Sequence, residues 1–98
     1  MERTKIAVAG ASGRMGRMLV EAIGQSGDLA LSGALDVAGS PSVGTDAGAF
    51  SGQPAGVAIS SDLGQAMAGA ACLIDFTRPE GTLKHLAYCA EHGIAMVI

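Results

Sequence analysis

VAGASGRMGR, residues 8–17 of this 98-residue chain, is the stretch that decides the fold. It overlaps KIAVA at 5–9, a run rich in β-forming residues that is apolar from Ile6 to Ala9, and its glycines stand three residues apart at Gly10, Gly13 and Gly16. A short run of β-forming residues that ends at glycine is typical of a buried parallel strand. Apolar residues at helical spacing follow the loop and predict the inner face of a helix: Met15, Met18, Leu19, Ala22 and Ile23. The stretch therefore predicts a strand, a tight turn and a helix.

The alternation of strand and helix continues along the chain. Further strands are predicted at 29–36, 57–59, 72–76 and 94–98. A long connection rich in glycine, serine and proline, at 37–56, is predicted to carry a helical turn around 43–50. Together these elements predict an α/β protein with a doubly wound parallel sheet of the Rossmann type.

Two more helices are predicted between the later strands. The first begins at Ser61 or Asp62, and its inner face is predicted to be Leu63, Ala66, Met67 and Ala70. The second is capped by Thr77, with Pro79 in its first turn, Glu80 reaching back to the cap, and Gly93 at its end. The inner stripe of this helix is predicted to be Leu83, Leu86, Ala87 and Ala90.

The composition narrows the class of protein. Apolar residues make up 49% of the chain and charged residues only 15%, which suits a sheet covered on both faces. The net charge is -3 and Lys and Arg are scattered, so no nucleic-acid partner is expected. No stretch approaches a signal-peptide core or a membrane span, which favours a cytoplasmic protein with no membrane partner. Cys72 and Cys89 are expected to be buried and reduced, and no metal-ligand spacing occurs.

The glycine loop has the features of a phosphate-binding loop. Gly10 can take the sharp turn, Gly13 lets a pyrophosphate approach bare backbone, and Gly16 lets the helix pack closely. Backbone N–H groups and the helix dipole favour an anion at such a helix N-terminus. A mononucleotide loop of the Walker type is excluded, because Met15 stands where its second glycine should be and no Lys follows. The remaining alternative is a glycine-rich turn that serves only close packing.

Two further features favour a dinucleotide. Asp36 ends the second strand twenty residues after Gly16, where a carboxylate can accept hydrogen bonds from an adenosine ribose. Right-handed crossovers place the fourth strand beside the first, so Phe76, Thr77 and Arg78 are expected on one wall of a crevice. The structural alternatives are a strand-end turn at Asp36, a helix cap at Thr77, a core position for Phe76 and a solvated Arg78.

With VAGASGRMGR, Asp36 and IDFTRPEGTLKHL at 74–86 considered together, the sequence resembles the N-terminal domain of the 4-hydroxy-tetrahydrodipicolinate reductase family. The resemblance covers essentially all of residues 1–98, including VGTDAG at 43–48. It implies reduction of a cyclic unsaturated imine dicarboxylate to tetrahydrodipicolinate by NADH or NADPH, in lysine and diaminopimelate biosynthesis, and a homotetrameric parent protein. Carried over by position, it implies these cofactor-binding residues: Gly10, Ala11, Ser12, Gly13, Arg14, Met15, Asp36, Phe76, Thr77 and Arg78.

Members of the family that use NADPH well often carry an Arg directly after the acid, where this chain has Val37. NADH is therefore the favoured cofactor, although Arg14 or Arg17 could partly hold a 2′-phosphate. No catalytic residue is assigned in the chain: His85 and His92 are expected on the helix surface away from the crevice, and Asp75 is expected to be a satisfied structural carboxylate.

The chain ends at the tip of a predicted core strand, so an N-terminal fragment is expected, with the catalytic residues and a substrate domain lying beyond Ile98. Such a fragment is expected to bind cofactor weakly and to be inactive alone. The alternatives are a non-catalytic module that senses NAD(H) and another two-domain dehydrogenase, such as an aspartate or homoserine dehydrogenase.

Overall fold

A five-stranded parallel sheet forms the centre of the molecule. The computed structural model describes residues 3–52, 54–77 and 79–97. The strands are β1 (Thr4–Ala9), β2 (Leu29–Leu35), β3 (Ile59–Ser60), β4 (Cys72–Asp75) and β5 (Ala95–Val97). They lie in the order β3-β2-β1-β4-β5, with every neighbouring pair parallel. This order confirms the predicted Rossmann-type sheet, with β4 beside β1 on the side away from β2.

The predicted helices are all found. They are α1 (Arg14–Gln25), α2 (Leu63–Met67) and α3 (Pro79–His92), and a 3₁₀ turn at Ala49–Ser51 falls at the end of the turn predicted around 43–50. Asp62 caps α2 by accepting a hydrogen bond from the N–H of Gln65, at 3.1 Å. Gly93, with φ of +68°, ends α3 as its position predicts.

The sheet is covered on both faces, so β1 is buried on each side. Ile6 and Val8 pack against α1 and the long β2–β3 connection, whereas Ala7 and Ala9 pack against α2 and α3. These two layers explain why KIAVA is a continuous apolar run and not an alternating one. The cysteines belong to opposite layers, where Cys89 is buried and Cys72 only half-buried, and both are free thiols.

A bulge in β2 brings α2 onto bare backbone. Ile6 lies opposite Leu31 and Ala7 opposite Gly33, so Ser32 is an extra residue in the ladder. A Cβ on Gly33 would lie 1.6 Å from the carbonyl oxygen of Ala66 in α2. Only glycine permits this contact between helix and strand.

The predicted inner face of α1 is partly wrong. Met15 and Met18 are 52% and 59% exposed and Ala22 is exposed, whereas the buried residues are Gly16, Val20 and Ile23. A Cβ at position 16 would lie 2.1 Å from the carbonyl oxygen of Gly10. The close approach at this glycine sets the rotation of the helix and turns the methionines outward.

The predicted inner stripe of α3 is wrong as well. Leu83 and Leu86 are 67% and 46% exposed, and Ala87 and Ala90 are exposed. The buried side of the helix instead carries His85 and Cys89. A buried carboxylate at the end of β4 binds this histidine, and that polar contact selects one of two competing faces of the helix.

The start of α3 also differs from the prediction. The helix begins at Pro79, which confirms a proline in the first turn. The Thr77 hydroxyl donates to Asp75 instead of capping the helix, at 2.5 Å. The predicted site residue Arg78 lies outside the described residues.

Candidate functional site

The glycine loop makes a tight turn that is anchored to the end of β2. Gly10 has a φ of +81°, which a residue with a side chain rarely adopts. The N–H groups of Gly10 and Ala11 both donate to the carbonyl oxygen of Leu35, at 2.9 and 3.1 Å. The loop then closes on itself through Gly13, whose N–H donates to the Gly10 carbonyl at 3.0 Å. Ala11, also predicted to bind the cofactor, is 0% exposed in the core and is not among the residues that line the crevice.

The N-terminus of α1 is open to an anion. Gly13 is its N-cap residue and supplies no side-chain cap, and the first turn carries no acidic residue. The N–H of Arg17 donates to the Gly13 carbonyl at 2.9 Å, so the regular helical ladder begins there and leaves the N–H groups before it without helical partners. Gly13, Arg14 and Met15 are exposed at this point. The arrangement has the free donors and the helix dipole that a phosphate group needs.

Asp36 meets the glycine loop directly. Its Oδ2 accepts from the N–H of Ser12 at 3.0 Å and from the Ser12 hydroxyl, and its Oδ1 accepts from the N–H of Val37 at 2.8 Å. The carboxylate stands just past the end of β2, where its own N–H donates to the carbonyl oxygen of Ser60. Because a carboxylate has about four acceptor positions, it can still accept a hydrogen bond from a ligand hydroxyl.

The residues after β4 form the opposite wall. The N–H of Phe76 donates to the carbonyl oxygen of Ala9 at 3.2 Å, which attaches the turn to the end of β1. The Phe76 side chain is 44% exposed and Thr77 is half-buried. A Cβ on Gly10 would lie 3.6 Å from the Phe76 backbone, so the two loops are in near contact.

Between these walls lies a crevice of about 700 Å³. It is lined by the glycine loop, by Asp36 and Val37, by Phe76 and Thr77, and by the first turn of α3. The crevice brings together most of the predicted site residues: Gly10, Ser12, Gly13, Arg14, Met15, Asp36, Phe76 and Thr77. A second cavity of about 350 Å³ shares Asp36, Val37 and Thr77 with it and is bordered by apolar side chains, among them Leu35 and Leu63.

A third cavity, of about 330 Å³, lies behind the loop. It is bordered by Ser12, Arg17 and the β2–β3 connection, including Phe50. The guanidinium carbon of Arg17 lies 5.5 Å from the centre of the Phe50 ring, a distance typical of a cation–π contact. Arg17 is therefore held against the β2–β3 connection and does not border the crevice.

A buried carboxylate supports the crevice from below. Asp75, 2% exposed, accepts from the N–H and hydroxyl of Thr77 and pairs with Nδ1 of His85 at 2.6 Å. Burial raises the pKa of Asp75, but the hydrogen bonds from Thr77 and the hydrogen bond and charge of His85 outweigh it and lower the pKa overall. The satisfied structural role predicted for Asp75 is confirmed.

The surface position predicted for His85 is wrong. The residue is 9% exposed and borders the smaller cavity beside Asp36 and Thr77. The missed signal is the row Gly81, His85 and Cys89, which are spaced four residues apart and form one narrow side of α3. The leucine-rich stripe is the more apolar side of this helix, but Leu83 and Leu86 on it are exposed. His92, in contrast, lies exposed at the end of the helix as predicted.

Within residues 3–52, 54–77 and 79–97, no group of three or more metal-ligating side chains is found. Over the same part of the chain, no helix has the length and apolar character needed to cross a bilayer.

Comparison with known proteins identifies relatives over the full chain. Residues 4–98 match the family described as dihydrodipicolinate reductase, N-terminus. The chain is 67% identical over 98 residues to the 4-hydroxy-tetrahydrodipicolinate reductase of Herminiimonas arsenicoxydans, covering 100% of this chain and 37% of that protein. Identity to the corresponding reductase of Janthinobacterium sp. (strain Marseille) is 62%, with the same coverage.

A solved structure has the same fold. It is dipicolinate-bound dihydrodipicolinate reductase from Paenisporosarcina sp. TG-14, which matches with a TM-score of 0.75 and 18% sequence identity. The match covers 97% of this chain and 36% of that one. The chain thus spans little more than a third of the length of the proteins it matches.

Proposed function

Because the chain belongs to the family of dihydrodipicolinate reductase N-terminal domains, we propose that it is the dinucleotide-binding part of a 4-hydroxy-tetrahydrodipicolinate reductase. The observation that carries this proposal is the contact between Asp36 and Ser12 at the edge of the crevice. It joins the two parts that a dinucleotide requires, which are an open helix N-terminus for the pyrophosphate and a carboxylate for the adenosine ribose.

The crevice suggests how an extended dinucleotide would lie. Its pyrophosphate would sit on the loop at Gly13 and Arg14, with one ribose at Asp36. Its nicotinamide half would follow the wall of Phe76 and Thr77. We also assign Arg78 to this half, on the family resemblance alone. When bound, the reduced nicotinamide supplies a hydride; the residues of this chain bind and orient it.

NADH is the cofactor we propose as preferred. Val37 is 68% exposed beside Asp36 and offers no cation to a 2′-phosphate. Arg17 is engaged with Phe50, whereas Arg14 lines the crevice and Lys84 borders the smaller cavity beside Asp36. A phosphate dianion beside the Asp36 carboxylate would also be repelled.

The remaining assignments concern the whole protein. We propose that it reduces a cyclic unsaturated imine dicarboxylate in lysine and diaminopimelate biosynthesis, as a cytoplasmic homotetramer whose only partners at this site are small molecules. The substrate and the proton donor would be held outside this chain. Family membership favours this activity over that of an aspartate or homoserine dehydrogenase.

Cofactor titration tests the proposal. We expect NADH fluorescence to report saturable binding to the 98-residue chain, with weaker binding of NADPH. Asp36→Ala should weaken NADH binding by about 1.5 to 3 kcal/mol, the contribution of hydrogen bonds to a charged group. Asp28→Ala is the matched control, because this exposed aspartate precedes β2 at the opposite end of the sheet. A loss below about 1 kcal/mol for Asp36→Ala would show that the ribose assignment is wrong.

A turnover assay separates binding from catalysis. The purified chain, given NADH and the imine substrate, should oxidise no NADH, because the proposal places the substrate and the proton donor outside this chain. The full-length protein should oxidise NADH under the same conditions. Substantial NADH oxidation by the chain alone would contradict the proposal that the substrate and the proton donor are held outside it. A full-length protein that binds NADH but is inactive would favour a sensing module.

A further inference from the structure

We infer that Asp75 and His85 form a buried positioning pair, which holds the Phe76–Thr77 turn in the geometry that the nicotinamide half of the cofactor needs. This inference rests on the proposed function and names two residues that the family resemblance does not assign to the site. Neither residue is proposed to touch the cofactor. Both act through Thr77, which the carboxylate binds twice.

Among the described residues, the side-chain hydrogen bonds of the pair lead to the turn or link Asp75 to α3. Oδ1 of Asp75 accepts from the N–H of Thr77 at 2.7 Å and from its hydroxyl at 2.5 Å. Oδ2 is 2.6 Å from Nδ1 of His85. The Thr77 hydroxyl also lies 3.4 Å from that of Thr82, one turn into α3. One carboxylate therefore ties the end of β4, the turn and α3 together.

The burial of this pair argues for a role beyond packing. The side chain of Asp75 is 0% exposed and that of His85 only 11%. A buried ionisable pair contributes little net stability compared with apolar residues of the same size, because both groups lose their hydration. The pair instead makes the contact directional. A carboxylate that accepts from the N–H and hydroxyl of Thr77 and from His85 fixes one arrangement of the turn, whereas apolar packing allows several.

The Phe76–Thr77 turn connects this pair to the crevice wall. Phe76 stands between Asp75 and Thr77, its N–H donates to Ala9, and the residue, 44% exposed, lines the crevice. If Thr77 loses its contact with Asp75, the carbonyl end of Phe76 is no longer fixed. The glycine loop and Asp36 do not depend on the pair, because their hydrogen bonds run to Leu35, Ser60 and each other.

This geometry predicts a selective defect. NADH spans the whole crevice, whereas ADP-ribose has the same adenine, riboses and pyrophosphate but no nicotinamide. Loss of the pair should therefore weaken NADH binding more than ADP-ribose binding. A general loss of stability would weaken both ligands equally, since both need the glycine loop.

Substitutions at His85 test which nitrogen matters. His85→Asn puts an amide near the position of Nδ1, where it can still donate to Asp75, while His85→Gln puts it near Nε2, where it cannot. We expect His85→Gln and His85→Leu to weaken NADH binding about tenfold more than ADP-ribose binding, and His85→Asn to restore most of the loss. His92→Asn, at the exposed end of the same helix, is the control and should change neither affinity.

Binding of both ligands, measured by calorimetry with each variant, decides the matter. The inference stands if the NADH loss is selective and Asn rescues it. It is overturned if the losses for NADH and ADP-ribose are equal, if neither ligand is affected, or if Gln rescues as well as Asn. If the unsubstituted chain binds neither ligand, the proposed function itself has failed, and that result is distinct from all of these.

Discussion

At Gly16 the backbone of the glycine loop occupies the space that a side chain would need. A Cβ there would lie 2.1 Å from the Gly10 carbonyl oxygen and 2.9 Å from the Cα of Ala11. Both are backbone atoms that hydrogen bonds hold in place, so they cannot give way cheaply. The spacing of the glycines predicts this close packing. It does not predict the hydrogen bond from Ser12 to Asp36, because that contact depends on how β1 and β2 pair.

The first expected outcome concerns this residue. Gly16→Ala should destabilise the chain by about 1 to 3 kcal/mol, as overpacking does, and should weaken NADH binding because the loop must shift. Gly24→Ala lies on the same helix with nothing within 4 Å of its Cβ position, and should add up to about 1 kcal/mol from helix propensity. Urea unfolding measures both. Equal effects of the two substitutions would contradict the packing argument.

Among the elements, the long β2–β3 connection carries a 3₁₀ turn and an isolated bridge between Asp46 and Ala58, and it covers one face of the sheet. Asp46 organises it by accepting from the N–H groups of Ala55, Gly48 and Gly56, at 2.7 to 2.8 Å. These backbone donors, that of Ala55 foremost, lower the pKa of Asp46 below its usual value. One carboxylate thus accepts hydrogen bonds from three backbone N–H groups of the connection.

Removal of this carboxylate tests its role. Asp46→Ala should lower the thermal unfolding temperature, because three backbone N–H donors, among them that of the buried Gly48, lose their acceptor. Asp28→Ala removes an exposed aspartate of the same charge and serves as control. Thermal unfolding followed by circular dichroism compares the two. If both variants unfold at the temperature of the original chain, Asp46 does not organise the connection.

The outward face of α3 gives a second test at this scale. Leu83→Gln should change the free energy of unfolding by no more than about 0.5 kcal/mol, as exposed substitutions usually do. Leu73→Ala, in the centre of β4 and 0% exposed, should cost about 2 to 5 kcal/mol. Urea unfolding of the 98-residue chain measures both. A cost above about 2 kcal/mol for Leu83→Gln would show that Leu83 faces the core, as its position in the apolar stripe predicts.

For the whole molecule, the order of the strands decides where the site lies. The chain leaves β1 toward β2 on one side and later returns to β4 on the other, so a crevice opens between the carboxyl ends of these strands. Asp36, the glycine loop and Phe76 come from three of these ends and meet there. Asp75 lies at the end of one of these strands. Its ionisation therefore affects both the stability of the fold and the shape of the site.

This sharing predicts an acid sensitivity. Because the pKa of Asp75 is lower in the folded chain than its ordinary value of 3.8, its charge stabilises the fold above that value. The contribution is lost as the pH falls from about 3.8 through the lowered pKa. Asp75→Asn should cost about 1 to 3 kcal/mol at neutral pH and should make the acid decline shallower. Urea unfolding between pH 6 and pH 2 checks this, and an unchanged acid slope in the variant would contradict it.

By itself the sequence determined the order of the elements, the turn at Gly10 and membership of the family. These follow from signals within a few residues, such as an apolar run that ends at glycine or a proline in a first helical turn. Only the tertiary structure decided which sides of α1 and α3 face the sheet. Each helix has two faces that could be buried, and the choice depends on contacts between distant residues: Gly16 against the Gly10 backbone, and His85 against Asp75. Periodicity measures how apolar a face is, whereas burial also depends on how closely a backbone can approach and on where a buried charge finds its partner.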